Sequence, residues 1–501
     1  MLSKIKRLGK ETAVYGVSTI LGRFLTFVLT PIYTHVLLPD ELGVVATVYS
    51  YIAFLNVIYG YGMESAYMKY QSTRELGDEK QTFTVPFVSV SLTSLVLSAL
   101  IVLFAGPLGR LILLPEKFSS VMLYASGILF FDAVTLVPFA SIRMEGKAFL
   151  FATFRLLNIV INVVCNLVFL FIYHMGVEGI FLSGIISSAA TLLMLLPIVV
   201  SHFSATWSTS LLRALLAFGL PYVPAGLATM MIQVIDRPIL EALSGKAAVG
   251  IYQANYRLGI FMMLIVSMYD FAWRPFFLSH ASDPDAKPLF ARIMTYFVLF
   301  MTLVFLVLSF FLADIVRLPL FWGHPLIAEP YWSGLPIVPV VLLAYLFLGV
   351  YNNLVAGIYI EKKTGHLPAI TFAGAAVNIV GNYLMIPLWG IMGAAIATLL
   401  AYAVMAFVLY FVVRQFYRVP YEMARIGKIA ASAALVFLLF SLTPSLEFSF
   451  LWKSSLVVGF LLLMYLTGFF VPSELRAVSL LFSRRRGGDA TGGDFGGPEQ
   501  Q

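Results

Sequence analysis

The sequence predicts an all-α polytopic membrane protein of about fourteen transmembrane helices. Two six-helix lobes in parallel repeat are followed by two extra C-terminal helices. Three observations carry this. Apolar runs close to 20 residues long recur along all 501 residues, with 60% hydrophobic residues and a mean hydropathy of +0.93. Only 11% of residues are charged, against about 25% in an average soluble domain. The second half also echoes the first in order.

The first six spans are read at 11–36, 42–63, 83–106, 119–141, 149–173 and 177–200. The next six lie at 211–235, 249–272, 290–313, 333–358, 368–388 and 391–413, and the final pair at 427–444 and 451–471. A hydrocarbon core of roughly 30 Å needs roughly 20 helical residues. Backbone groups in lipid must be satisfied internally, and runs this long without period-2 alternation are helices, not barrel strands. Pro221, Pro224 and Gly226 predict a bend in the seventh span. The division expected is 1–205 for the first lobe, 206–418 for the second, 419–475 for the extra pair and 476–501 for a Gly-rich, disordered cytoplasmic tail. Arg484, Arg485 and Arg486 in that tail suit a topology anchor or an anionic-lipid contact.

The repeat rests on ordered matches. TPIYTHVLLPDELGVVATVYSYIAF (30–54) and RPILEALSGKAAVGIYQANYRLGIF (237–261) align at an offset of 207. Pro31 then falls on Pro238, Gly43 on Gly250, Tyr49 on Tyr256 and Phe54 on Phe261. NVVCN (162–166) and NIVGN (378–382) form a second pair, each followed by G-x-x-G, at Gly176/Gly179 and Gly390/Gly393. Six spans per repeat give both halves the same orientation, an arrangement in which transporters place their site between the halves near the midplane.

With a cytoplasmic N-terminus, about 23 of the 32 Lys and Arg residues fall in cytoplasmic segments and about 6 outside. Both termini are therefore expected inside. The net charge of +7 follows from this loop asymmetry, so no nucleic-acid partner is inferred. The basic N-terminus lacks a cleavage site after its apolar stretch, so no signal peptide is expected.

Enzyme signals are scarce. Six histidines are scattered without metal-ligand spacing, and the lone Cys165 excludes a disulfide framework and any Cys-based metal site. DPD (283–285) mimics the metal-binding acid pair of nucleotide-sugar glycosyltransferases but sits in a short loop with no such fold around it. No Walker A motif is present, and neither catalytic residue nor cofactor is expected, apart from a coupling ion, H⁺ or Na⁺.

Charges inside the spans carry the functional signal. Arg23 lies mid-span in GVSTILGRFLTFVLTPIY (16–33), at an insertion cost of at least ~2.5 kcal/mol. It suits either an anion contact in a water-filled cavity or an ion pair with Asp132 or Glu64. Arg257 follows the same logic. Arg155 either shares it or snorkels to the cytoplasmic surface. A guanidinium grips phosphate bidentately and stays charged, so a cavity with several arginines suits a diphosphate. Asp132, Asp236, Arg237 and Asp270 are gate or coupling candidates, with Asp236 and Arg237 read at the outer end of span seven and Asp270 paired with Arg274 at the inner end of span eight. Asn158, Asn162 and Asn166 share one helix face, as do Asn378 and Asn382; interhelical hydrogen bonding and sugar contacts are both open to them.

The stretch PIYTHVLLPDELG (31–43), the RMEGK turn (143–147), the duplicated halves and the two extra spans resemble the polysaccharide flippases of the multidrug/oligosaccharidyl-lipid/polysaccharide exporter superfamily. The resemblance covers roughly residues 5–475. It implies a V-shaped bundle that carries an undecaprenyl-diphosphate-linked oligosaccharide, the O-antigen or exopolysaccharide repeat unit, by alternating access from inner to outer leaflet of the bacterial cytoplasmic membrane. It also implies arginines in a cationic cavity, a role carried onto Arg23 and Arg257. Partners would be the lipid-linked oligosaccharide, membrane lipid and polysaccharide polymerase or assembly proteins. A peptidoglycan-precursor (lipid II) flippase and an ion-coupled multidrug antiporter are the alternatives, the latter disfavoured by the lack of a buried acid in span one. A membrane polymerase or ligase would carry a large external loop, which this chain lacks.

Overall fold

The computed structural model describes residues 16, 20–22, 24–25, 27–321, 323–443 and 449–470. Arg23 and the tail at 476–501 lie outside the described residues. Helix dominates: among the described residues, eleven helices are long and apolar enough to cross a membrane, and a pair bent by 40° makes a twelfth. Shorter apolar helices stand at the first and last expected spans.

The first half comprises α1 (residues 27–36), α2 (Pro39–Gly60), α3 (Met63–Thr73), α4 (Glu79–Leu103), α5 (Ala105–Leu111), α6 (Ser120–Met144), α7 (Ala148–Leu167) and α8 (Gly176–His202). The second comprises α9 (Thr209–Gly219), α10 (Tyr222–Val234), α11 (Asp236–Ser244), α12 (Lys246–Tyr256), α13 (Ile260–Ser279), α14 (Ala286–Phe310), α15 (Leu312–Arg317), α16 (Val338–Ile360), α17 (His366–Trp389) and α18 (Ile391–Arg414). A two-stranded hairpin, β1 (Pro319–Phe321) with β2 (His324–Pro325), follows α15. The helices α19 (Met423–Ser441) and α20 (Phe450–Leu466) close the described chain.

The chain divides into two compact units. One holds the described residues up to Lys287 together with Leu312–Val419; the other holds Pro288–Phe311 and the described residues from Pro420 on. In the first unit α4, α6, α7 and α8 pack on one another, as do α16, α17 and α18, and α2 packs along α12. In the second unit, Phe310 of α14 lies 4.6 Å from Phe440 and Phe305 lies 5.6 Å from Phe437, both of α19.

The repeat is visible at the level of single bonds. Asn166 donates through Nδ2 to the Asn162 carbonyl at 2.8 Å and to its Oδ1 at 3.1 Å. Asn382 donates to Asn378 at the same two distances. Gly176 and Gly390, which open the two G-x-x-G motifs, have φ of 57° and 55°, a left-handed turn that glycine enters without a Cβ clash. Each starts the turn into its half's last helix.

Among the described residues two spans are broken, the seventh of them where the sequence predicts a bend. The second is interrupted at Tyr61–Gly62, with φ of 28° and 73°. The seventh bends between α9 and α10, where Pro221 removes a backbone donor. Its helical path then continues through α11 to Ser244, so Asp236 and Arg237 do not end it. They stand well inside it and are buried. In the RMEGK turn, Arg143 pairs with Glu64, so Glu64 has a cation other than Arg23. Glu145 accepts from Lys147 and His202. Burial works to raise the Glu145 carboxyl, but Lys147, His202 and Ser141 outweigh it and hold it below its ordinary value.

Candidate functional site: an arginine-walled cavity between the repeats

The helices α2 and α12 cross where the repeat aligns them. A Cβ on Gly43 would stand 2.1 Å from the Lys246 carbonyl oxygen, and one on Gly250 would stand 1.9 Å from that of Pro39. No other residue fits this crossing, which explains why glycine occurs at both matched positions. Beside it lies a cavity of about 120 Å³, walled by α1, α2, the α10–α11 junction and α12. Its polar wall includes Thr30, Tyr33, Tyr49, Arg237, Gln253 and Arg257, and among the described residues no carboxylate lines it.

Arg257 stands where α12 tightens into a 3-10 turn, Arg257–Gly259. Its Nη1 donates to Thr30 Oγ1 at 3.3 Å, across the boundary between the halves. Tyr33 donates to Asn166 Oδ1 at 2.8 Å, which anchors that wall to α7.

Arg237 is held differently. Its Nη1 donates to Asp236 Oδ1 at 2.6 Å and to the Gln233 carbonyl at 2.5 Å, and its Nε donates to Gln253 at 3.1 Å. Tyr252 donates to the other Asp236 oxygen at 2.6 Å. The guanidinium also lies 4.5 Å from the Tyr256 ring centroid, a cation–π contact. Buried charge is tolerated only when paired and hydrogen-bonded, and this group is both. The cavity therefore presents one heavily bonded arginine and, opposite the first-half tyrosines, Arg257. Guanidinium groups so placed have the chemistry to bind a small anionic group.

The other expected site residues are scattered. Arg155 does not line this cavity; it lies over the Phe139 ring at 4.3 Å and interacts electrostatically with Asp132. Asp132 accepts from Ser188 at 2.7 Å, within the first half. Asn158 donates to the Ser187 carbonyl and to Thr191, and Asn162 to Ser187 Oγ, so these amides tie α7 to α8. Asn378 reaches Thr398 at 3.5 Å, between α17 and α18. Asp270 accepts from Arg274 at 3.1 and 3.0 Å, before α13 runs on to Ser279. Sequence reasoning singled out Arg257 and Arg237 but missed Thr30, Tyr33 and Gln253. Nothing marks these polar residues among many until the repeats are folded together. Tyr49 had a signal, its match with Tyr256.

Among the described residues no group of three or more His, Cys, Asp or Glu stands ready to hold a metal ion.

Comparison with known proteins agrees with this architecture. A family model described as "Polysaccharide biosynthesis protein" matches residues 8–280. An uncharacterized membrane protein of Methanocaldococcus jannaschii is 22% identical over 438 residues, covering 79% of this chain and 83% of its own. Among solved structures, the lipid II flippase MurJ in an inward closed conformation superposes with a TM-score of 0.71 at 18% identity, covering 91% of this chain and 98% of MurJ. An inward-facing multidrug resistance MATE family transporter of the MOP superfamily gives a TM-score of 0.59 at 16% identity, covering 78% and 94%. At these identities the structural likeness establishes the fold, and the family match covers more than half of the chain. The chain belongs to the polysaccharide biosynthesis protein family.

Proposed function

We propose that this protein translocates an undecaprenyl-diphosphate-linked oligosaccharide across the bacterial cytoplasmic membrane, for assembly of a cell-surface polysaccharide. The observation that carries this reading is the placement of Arg257 and Arg237 on one small cavity at the seam of the two halves, with no carboxylate among the described residues of its wall. A diphosphate would sit between Arg257 and the first-half groups Thr30 and Tyr33, while the prenyl chain stays in lipid. The α2–α12 crossing, which the loop charges place on the outer side with both termini cytoplasmic, would be closed while the head group loads from inside. It would open for release. The family match and the flippase-like fold support the reading.

The cavity chemistry disfavours a cation antiporter as the second reading. Arg257 repels a cation, and the neighbouring Asp236 is already neutralised by Arg237.

The test is translocation in proteoliposomes, with a polyprenyl-diphosphate oligosaccharide loaded in one leaflet. Losing a charge-assisted hydrogen bond of about 1.5–3 kcal/mol predicts that Arg257→Ala slows translocation by about ten- to a hundredfold with the fold intact. Unchanged translocation would remove Arg257 from the site. Growth rescue of cells depleted of their lipid II flippase would instead assign the peptidoglycan precursor.

A further inference from the structure

Resting on that reading, we infer that a second cavity, walled mainly by the C-terminal half, is the binding site for the glycan, a neutral oligosaccharide, and is separate from the site that grips the phosphates. The arginine-walled cavity is too small for both parts of such a head group. At about 120 Å³ it falls below the ~300–1,000 Å³ of pockets that enclose drug-sized ligands. A cavity of about 620 Å³ lies beside it, walled mainly by α10, α13, α16 and α18. The two share Val234, and the partition between them is the stacked pair Arg237–Tyr256.

The larger cavity's chemistry is that of carbohydrate recognition. Gln233, Asn352 and Tyr402 line it, and among the described residues the Gln233 and Asn352 amides and the Tyr402 hydroxyl have no protein hydrogen-bond partner. Two amides, each offering donor and acceptor, and a phenol suit a ligand of many hydroxyls. Tyr351 and Tyr402 add ring faces for the apolar side of a pyranose. Among the described residues the lining carries a single charge, Asp270, and both its oxygens are occupied by Arg274. Among the described lining residues a charged ligand would find no unpaired counter-charge. Asn158, Asn162 and Asn378, by contrast, spend their amides between helices.

The experiment is photo-crosslinking of the full chain in its own host, using the host's pool of lipid-linked oligosaccharide as probe. Tyr351→p-benzoylphenylalanine reports the larger cavity and Tyr49→p-benzoylphenylalanine the smaller, with adducts identified by mass. A carbohydrate-bearing adduct at 351 is expected. An adduct at 49 alone overturns the glycan site but leaves the flippase reading standing. Adducts at neither position overturn both. A kinetic arm separates recognition from folding. Gln233→Ala combined with Asn352→Ala should raise KM about tenfold for a glycosylated polyprenyl diphosphate and leave transport of bare polyprenyl diphosphate unchanged. An equal effect on both lipids would make these residues structural and overturn the inference.

Discussion

Two arginines share one cavity, yet their surroundings predict opposite responses to mutation. Arg257 reaches across the seam to Thr30, whereas Arg237 is the counter-ion of an aspartate that is 1% exposed. Removing one partner of a buried pair leaves an uncompensated charge, at a cost of about 3–5 kcal/mol. Replacing both partners with neutral isosteres leaves none. Arg237→Ala should therefore lower thermal stability in detergent sharply. Asp236→Asn combined with Arg237→Gln should recover most of the loss, because Tyr252 and Gln253 keep amide partners of similar shape. Failure of the double variant to recover would mean that the charges themselves, not their pairing, hold α11 in place. Arg257→Ala, which removes the bond to Thr30 across the seam, is expected to act on transport.

At the scale of elements, the crossing of α2 and α12 depends on two hydrogen atoms. The obstruction at Gly250 is the Pro39 backbone carbonyl, which cannot rotate aside as a side chain would. Gly250→Ala should force the helix ends apart and unseal the small cavity on the Pro39 side. With Cys165→Ser as background and Ala46→Cys as reporter, labelling by a membrane-impermeant maleimide should accelerate several-fold in Gly250→Ala. It should not change in Gly459→Ala, where an added Cβ meets nothing within 4 Å. Equal labelling in both would show that the crossing does not seal the cavity. Much of this was legible beforehand: Gly43 and Gly250 stood out as repeat partners because glycine is unusual at matched positions in apolar helices. The breaks were less legible. Pro221 announces the bend between α9 and α10, but nothing local distinguishes Tyr61–Gly62 or the turn at Arg257 from ordinary helix, since tertiary packing sets both. The path through Asp236 and Arg237 was hidden because adjacent charges normally end a span. Here each neutralises the other, and Gln233, Gln253 and Tyr252 satisfy what remains.

For the whole molecule, the number of helices and their duplication follow from hydropathy and from ordered Pro, Gly and Asn matches. The pairing of Thr30 with Arg257, 227 residues apart, follows from neither. Bringing the two halves together creates the cavity, and the same arrangement implies how it would work. If the halves move as bodies and the close backbone approach at Pro39 and Lys246 closes the cavity's outer side, that seam must part once per cycle. Tethering that seam should then stop transport without harming the anion site. Asp40→Cys with Lys246→Cys, in the Cys165→Ser background, places one thiol at the start of each helix, outside the cavity wall. Joining them with a short, cleavable bifunctional thiol reagent should abolish translocation of the lipid-linked oligosaccharide, and cleaving the tether should restore it. Binding of a polyprenyl diphosphate from the opposite face should persist throughout. Full translocation by the tethered protein would mean that the seam stays closed during transport and that the substrate passes by another route. Loss of binding along with transport would mean that the tether had distorted the cavity, and the closure would have to be tested at a second pair of positions along the same two helices.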